Sequence, residues 1–287
     1  MKSASGGTES LKIAIVGCGY VGQAIARYWR QYGHLVTVTT TTPQRVEELQ
    51  SLADRVLVVK GNDPTAIGTA LEGQELVLLS LGARQRDAYR ETYLETARTL
   101  SPLLSGETSV KQVIYTGSYA VYGDRQGQWV DENTPVAPAN ENGEILAETE
   151  RVLLAGDRQD LAVCILRLGG IYGPGREIAK IFRPLAGTTR PGTGREVSNW
   201  IHLDDIVAAL EFARAHRLRG VYNLVNDTPL EQKELLDRLC ELHNLEPISW
   251  DPTATERRPY NARVSNRKLI EAGFRCRYPQ TRLDLIP

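Results

Sequence analysis

Residues 11–29 read LKIAIVGCGYVGQAIARYW. The first seven, LKIAIVG, form an apolar β-type run that stops at a glycine. In GQAIARYWRQYG (22–33) the apolar residues then fall at helical spacing until Gly33. Between the two, Gly17, Gly19 and Gly22 spell G-x-G-x-x-G. Each glycine has a physical task in such a loop. The first permits the sharp turn, the second lets backbone approach a pyrophosphate, and the third lets helix pack on strand. The unpaired N–H groups at the helix N-terminus then hold the phosphates. A plain glycine turn is the competing reading of the motif alone. Its position between a strand and a helix, at the head of a repeating series, favours dinucleotide binding through Gly17, Cys18, Gly19, Tyr20, Val21 and Gly22.

The series runs on. LVTVTT (35–40) leads into PQRVEELQSLA (43–53), with Pro43 suited to a helix start. RVLVV (55–59), ELVLLSL (75–81), QVIYTGS (112–118) and LAVCILRL (161–168) follow, separated by helical stretches. Near-continuous apolar strands of this kind imply a parallel sheet covered on both faces, a doubly wound α/β fold of the Rossmann type. Beyond Gly170 the order loosens. Residues 171–201 are rich in Gly, Pro and Thr and read as loops around a ligand. DDIVAALEFARAH (204–216) reads as a helix charged at its start by Asp204 and Asp205, GVYNLV (220–225) as another strand, and LEQKELLDRLCELHNL (230–245) as an amphipathic helix. SNRKLIEAGF (265–274) is a short helix that Ser265 can cap and Gly273 can end. The expected division is a flexible tail over 1–10, a dinucleotide-binding domain over 11–170, and a small C-terminal substrate lobe over 171–287. Within the lobe, residues 199–225 are expected to return to the main sheet.

At the end of the second strand a dinucleotide with a free ribose 2′-hydroxyl asks for an acid. None occurs from 35 to 46; Thr39, Thr40, Thr41, Thr42 and Arg45 stand there instead. Hydroxyls and a guanidinium suit a 2′-phosphate, so NADP is preferred and NAD is the alternative, with Arg45 on a solvated helix face as the bland reading. Asn62 is expected at the adenine. Ser80, Leu81 and Gly82 end the fourth strand where the cofactor crosses the sheet, with Thr116 and Gly170 further along.

Bulk properties exclude several classes. The chain has 287 residues, a formal net charge of −1, and 41% hydrophobic and 24% charged residues. A dedicated nucleic-acid or membrane-surface binder needs a basic excess that is absent here. Arg outnumbers Lys 27 to 7, a compositional bias that also suits phosphate recognition. Cys18, Cys164, Cys240 and Cys276 form no C-x-x-C and read as reduced thiols of a cytoplasmic protein. His34, His202, His216 and His243 offer no ligand spacing, so no metal is expected. MKSASGGTES lacks the apolar core of a signal peptide, and no apolar run approaches the roughly 18 residues that span a bilayer.

Taken in order, GCGYVG, YTGSYAVYG (115–123), LRLGGIYGPG (166–175), NWIHLDDIVAAL (199–210), YNLVND (222–227) and RRPYNARVSNRKLIEAGF (257–274) carry a resemblance to extended and atypical short-chain dehydrogenase/reductases of the NAD-dependent epimerase/dehydratase group. The likeness spans about residues 11–285. It implies an NAD(P)-dependent oxidoreductase or isomerase acting on a sugar-like or other small carbonyl or hydroxyl compound. It also implies a role for Ser118 in orienting the substrate oxygen, and a homodimer through helices over 87–104 and 142–156. Arg190 and Arg258 match places where such enzymes hold a substrate diphosphate, and Tyr119 and Tyr172 lie in turns beside the substrate. Surface salt bridges are the competing role for the two arginines.

The resemblance fails at the catalytic positions. Active members carry a Tyr that exchanges the proton and, four residues later, a Lys that lowers its pKa. Here Asn142 and Leu146 stand at those positions, and no Tyr or Lys occurs from 123 to 171. Gly170 likewise replaces an Asn common among relatives. Three explanations stay open: another group moves the proton, with Tyr119, Tyr122, Tyr172, Glu141 and Glu144 as candidates; hydride transfer proceeds with solvent protonation; or the chain is a non-catalytic NAD(P)-binding sensor or regulator. An enzyme with an altered proton-transfer arrangement is preferred. GTGR (192–195) lacks the Lys of a P-loop, and TGSYA (116–120) lacks the second Gly of a hydrolase elbow.

Overall fold

In the strand Lys12–Val16 (β1), Ile13 and Ile15 pack on one side of the sheet while Ala14 and Val16 pack on the other. All four are at most 3% exposed, which a strand achieves only when helices cover both faces. The computed structural model describes residues 10–83, 85–106, 108–254 and 259–285. Six more strands join β1: Leu35–Thr40 (β2), Arg55–Val58 (β3), Leu76–Leu79 (β4), Gln112–Ser118 (β5), Ala162–Leu168 (β6) and Gly220–Leu224 (β7). Their spatial order is β3-β2-β1-β4-β5-β6-β7, with every pair parallel. This is the doubly wound sheet that the sequence pattern predicts. Because β1 is flanked by both β2 and β4, successive crossovers diverge there and open a crevice at the carboxyl ends of the strands.

Helices Tyr20–Gln31 (α1) and Leu203–Ala215 pack together on one face. Pro64–Leu71 (α2), Thr96–Ser105 (α3) and Glu141–Leu154 (α4) contribute to the cluster on the other. Local chemistry sets their starts. Asp63 accepts the Ala66 N–H at 3.0 Å with Pro64 in the first turn, and Asn140 accepts the Gly143 N–H at 2.9 Å. Where one helix was expected over 43–53, a 3₁₀ turn at Pro43–Arg45 precedes a single helical turn at Val46–Gln50. The helix after Ser265 begins at Arg267, with Asn266 in the cap position. The Asn266 amide is engaged by Val225 O and Asp227, and Ser265 Oγ takes the Arg267 N–H at 3.3 Å.

Outside the main sheet, four short two-stranded ladders involve segments beyond Gly170. One of them pairs Gly170–Tyr172 with Trp200–His202 before β7 joins the main sheet beside β6. A separate apolar cluster gathers Tyr172, Ile178, Leu235, Leu236 and Leu239. Asp205 does not charge an exposed helix start. It is fully buried and accepts the Arg277 and Tyr278 N–H groups at 2.6 and 3.1 Å, tying down the C-terminal segment. His202 caps its helix instead, its Nδ1 accepting the Asp204 N–H at 3.1 Å.

Candidate active site

The crevice is a cleft of about 1490 Å³ running across the carboxyl ends of the strands. Its first wall is the glycine loop. Gly17 has φ +89°, and a Cβ there would lie 2.6 Å from the Ser80 carbonyl oxygen, so β4 permits only glycine. Its N–H donates to Thr39 Oγ1 at 3.0 Å and the Cys18 N–H to Thr39 O at 3.1 Å, which fastens the loop to β2. A Cβ on Gly22 would meet Gly17 O at 2.6 Å, the close helix–strand approach predicted for the third glycine. Gly19 differs: nothing lies within 4 Å of its Cβ direction. The first turn of α1 has no acidic residue and no side-chain cap, so its N–H groups face the space above Gly19. Burial pushes the neighbouring Cys18 thiol up to about 12, against the field of Arg45. The loop therefore carries no negative charge, and its shape and donors fit a dinucleotide diphosphate.

At the outer end, beyond β2 and β3, the cleft is lined by Thr39–Thr42, Arg45, Lys60 and Gly61. Arg45 reaches Glu48 in two long contacts of 3.3 and 3.4 Å. Thr39 Oγ is used inside the loop, and Thr40 Oγ accepts the Thr42 N–H at 3.2 Å, so Thr41 and Arg45 are better placed for a ligand than all four threonines together. A Cβ on Gly61 would overlap Thr96 Oγ1.

At the inner end, beyond β5 and β6, the cleft is lined by Thr116, Gly117, Ser118, Ala139–Gly143, Leu146, Leu168 and Ile171. Ser118 Oγ accepts the Ala120 N–H at 3.2 Å, leaving its own proton to donate. Asn142 and Leu146 both line the cleft, and neither side chain can exchange a proton there. Under this floor a buried pair locks α4 to β6: Arg167 grips Glu150 through three contacts of 2.7–3.1 Å, both residues being at most 5% exposed. Burial pushes the Glu150 carboxyl up and Arg167 pulls it back. The Tyr115 hydroxyl is fully buried without a hydrogen-bond partner, and burial holds it well above the ordinary phenol range.

The cleft brings together Gly17, Cys18, Gly19, Tyr20, Val21, Thr39, Thr40, Thr41, Arg45, Ser80, Leu81, Gly82, Thr116 and Ser118. It leaves out others. Gly22 packs against the loop from behind, and the Asn62 amide donates to Glu91 at 3.2 Å while Lys60 and Gly61 face the cleft. The face of Gly170 is covered by Trp200, whose ring lies 2.7 Å from a Cβ there; Gly169 and Ile171 line the cleft in its place. Tyr119 is buried edge-on to Tyr260, with ring centroids 5.4 Å apart. The hydroxyl of the buried Tyr172 takes the Arg282 N–H at 3.0 Å. The Arg190 guanidinium lies over Trp250, 6.0 Å from the ring centre. Arg258 lies outside the described residues, as do residues 1–9 of the N-terminal segment.

Among the candidate proton carriers, Tyr122 donates to Asn223 at 2.9 Å in the core, and Glu144 is exposed away from the cleft. Glu141 lines it, 3.7 Å from Arg90. Sequence reasoning passed over Tyr89, Tyr93, Tyr260, Lys60 and Arg176, all of which line the cleft. Arg176 lies 5.2 Å over the Tyr20 ring, whose hydroxyl donates to Pro174 O at 2.9 Å. The available signal was local: Arg176 closes the YGPG turn, and Lys60 lies two residues after the third strand. Among the described residues no cluster of His, Cys, Asp or Glu is placed to hold a metal, and no helix is long and apolar enough to cross a membrane.

A seven-stranded parallel sheet with a glycine cradle at its switch point defines a dinucleotide-binding class of α/β protein. Within that class, the chain belongs to the NAD dependent epimerase/dehydratase family, whose model matches residues 13–225. It is 30% identical to Protein YeeZ of Escherichia coli (strain K12) over 282 residues, 93% of this chain and 96% of that protein. A functionally unknown conserved protein from Silicibacter pomeroyi DSS has a similar structure, with TM-score 0.78 and 26% identity over 96% of both chains. MoeE5, solved with UDP-glucuronic acid and NAD, shares the fold at TM-score 0.76 and 21% identity, over 93% of this chain and 94% of that one.

Proposed function

We infer that this protein is an NAD(P)-dependent oxidoreductase or isomerase acting on a small carbonyl or hydroxyl compound, sugar-like or otherwise, with an altered proton-transfer arrangement. The observation that carries this reading is the pairing of an open, positively biased glycine cradle with Ser118 in one continuous cleft. A bound nicotinamide dinucleotide supplies a hydride to, or removes one from, a carbon beside the substrate oxygen. The chain's residues manage the rest. Gly17, Gly19 and the first turn of α1 receive the diphosphate. Ser118 donates its hydroxyl proton in a hydrogen bond to the substrate oxygen and so orients it. Tyr119, Tyr122 and Tyr172 are engaged elsewhere, so Glu141 and cleft water exchange the proton. Lining residues 39–61 include two cations and no carboxylate, which favours a ribose 2′-phosphate and hence NADP over NAD. The reading places the protein in the cytoplasm, with a homodimer through the helices over 87–104 and 142–156, and with residues 171–287, apart from 199–225 in the main body, forming the substrate lobe.

Binding and turnover test this separately. Arg45→Ala should weaken NADP⁺ about tenfold or more and leave NAD⁺ within about twofold, as expected for one lost charge-assisted contact. Ser118→Ala should leave cofactor affinity unchanged and lower turnover of an identified substrate by about 10²-fold. Equal loss for both dinucleotides in the first variant, or full turnover in the second, would refute the assigned roles.

A further inference from the structure

The chain leaving Gly170–Tyr172 doubles back over the glycine loop. Gly173 and Arg176 exchange backbone hydrogen bonds of 3.3 and 2.9 Å across the turn, and Gly173 has φ +148°. A Cβ on Gly173 would lie 3.0 Å from both Leu203 Cβ and the Tyr20 hydroxyl, so the turn is pressed against the first residue of α1. Two side chains fix it there. The Tyr20 hydroxyl donates to Pro174 O at 2.9 Å, and the buried Glu177 carboxylate accepts the Gly175 N–H at 2.7 Å. The turn thereby brings Arg176 to the wall of the cleft, with its guanidinium 5.2 Å from the centre of the Tyr20 ring.

An arginine in such a place has an ordinary role, a tether that holds the turn on Tyr20 and does nothing more. Two observations point past it. The first is the state of the guanidinium. Among the described residues no carboxylate pairs with it, and the adjacent Glu177 is committed to Gly175. Arg45, whose field reaches Cys18 in the loop, is by contrast held by Glu48. A ring takes the flat side of a guanidinium and leaves its in-plane N–H groups unspent. The second is the charge of the cradle. The free N–H groups of the first turn of α1 amount to about half an elementary charge, whereas a dinucleotide is negative on each phosphate. A formal cation at the cradle's edge supplies what the helix lacks. We propose that Arg176 is a clamp for the cofactor diphosphate: its planar fork takes phosphate oxygens that the α1 N–H groups do not, with the Tyr20 ring as its platform. This rests on the nicotinamide-dinucleotide reading above. Because the diphosphate is common to NADP and NAD, Arg176 sets the affinity for both, whereas Arg45 distinguishes them.

The test uses the full chain. NADP⁺, NAD⁺ and ADP-ribose, which keeps the diphosphate and lacks the nicotinamide, are titrated calorimetrically into wild type, Arg176→Met, Arg176→Lys and Tyr20→Leu. Arg176→Met keeps an apolar stem over the ring without the charge, and should bind all three about tenfold more weakly. Arg176→Lys, with the charge but not the fork, should recover part of that loss. Tyr20→Leu, with the charge but not the platform, should weaken all three about threefold. The urea midpoint of the free Arg176→Met protein should match wild type, a result that a tether alone would not give. Equal affinities of wild type and Arg176→Met would overturn the proposal and leave the dinucleotide reading standing. So would a loss confined to NADP⁺, which would place the guanidinium at the ribose 2′-phosphate, or a loss that spares ADP-ribose, which would place it at the nicotinamide. A lowered urea midpoint without rescue by lysine would also overturn it, in favour of the tether. Failure of the wild-type chain to bind either dinucleotide would remove both.

Discussion

Gly17 and Gly19 are two residues apart in one motif, yet the structure predicts opposite phenotypes for their alanine variants. At Gly17 the backbone sits at φ +89°, and the added methyl would lie 2.6 Å from Ser80 O and 3.1 Å from Ser80 C. Both are backbone atoms at the end of β4 and cannot rotate away. The left-handed conformation costs alanine about 1–2 kcal/mol, and relieving the overlap another ~1–3 kcal/mol. Gly17→Ala should therefore lose about 2–5 kcal/mol of folding stability. At Gly19 the backbone is extended and the methyl meets nothing within 4 Å. Gly19 is the N-cap of α1, so alanine costs no more than about 1 kcal/mol there. The methyl does, however, fill the space above the free N–H groups, where a diphosphate must approach. Gly19→Ala should fold normally and bind dinucleotide at least about tenfold more weakly, a loss of ~1.4 kcal/mol or more. Urea unfolding reports the first quantity and calorimetric titration the second. A Gly19→Ala protein that binds like wild type, or a Gly17→Ala protein with unchanged stability, would refute this account of the loop.

Two further predictions concern the frame. His34 and His202 are each 3% exposed, and burial holds both imidazoles below their ordinary value; each Nδ1 accepts a backbone N–H, from Leu11 and Asp204, both at 3.1 Å. With folded pKa values below the unfolded value of about 6.5, their stabilisation is complete above that pH and is lost as pH falls, by up to about 1.4 kcal/mol per pH unit for each. The combined His34→Gln and His202→Gln variant should show a flatter stability profile between pH 7.5 and 5.5 in urea unfolding; an unchanged slope would contradict the assignment. Gly61→Ala should lose about 1–3 kcal/mol through collision with Thr96, and Thr96→Ala should relieve most of that loss. A double-mutant cycle with zero coupling would show that the two do not meet.

The fold was readable because a parallel strand buried on both faces leaves an unmistakable apolar run, and the five inner strands of the sheet were plain in that way. The glycine cradle was equally plain, since Gly17 and Gly22 answer close backbone approaches set within or beside the motif itself. The inner end of the cleft was harder to read. Tyr119, Tyr172 and Arg190 sit in motifs that suggested a ligand, but their side-chain directions depend on partners distant in sequence: Tyr260, Arg282 and Trp250. Asp205 looked like a helix-start charge and is a buried tether for Arg277 and Tyr278, a contact across more than seventy residues. Tyr89 and Tyr93 reach the cleft from a segment containing a π-helical turn, Arg90–Glu95, which local pattern does not announce.

The most direct test of the central claim is calorimetric titration of NADP⁺ and of NAD⁺ into the folded wild-type chain. One site per chain is predicted for each, tighter for NADP⁺, with a concentration-dependent rise in melting temperature. No heat and no thermal shift with either nucleotide at ~1 mM, in a sample that unfolds cooperatively, would contradict the account.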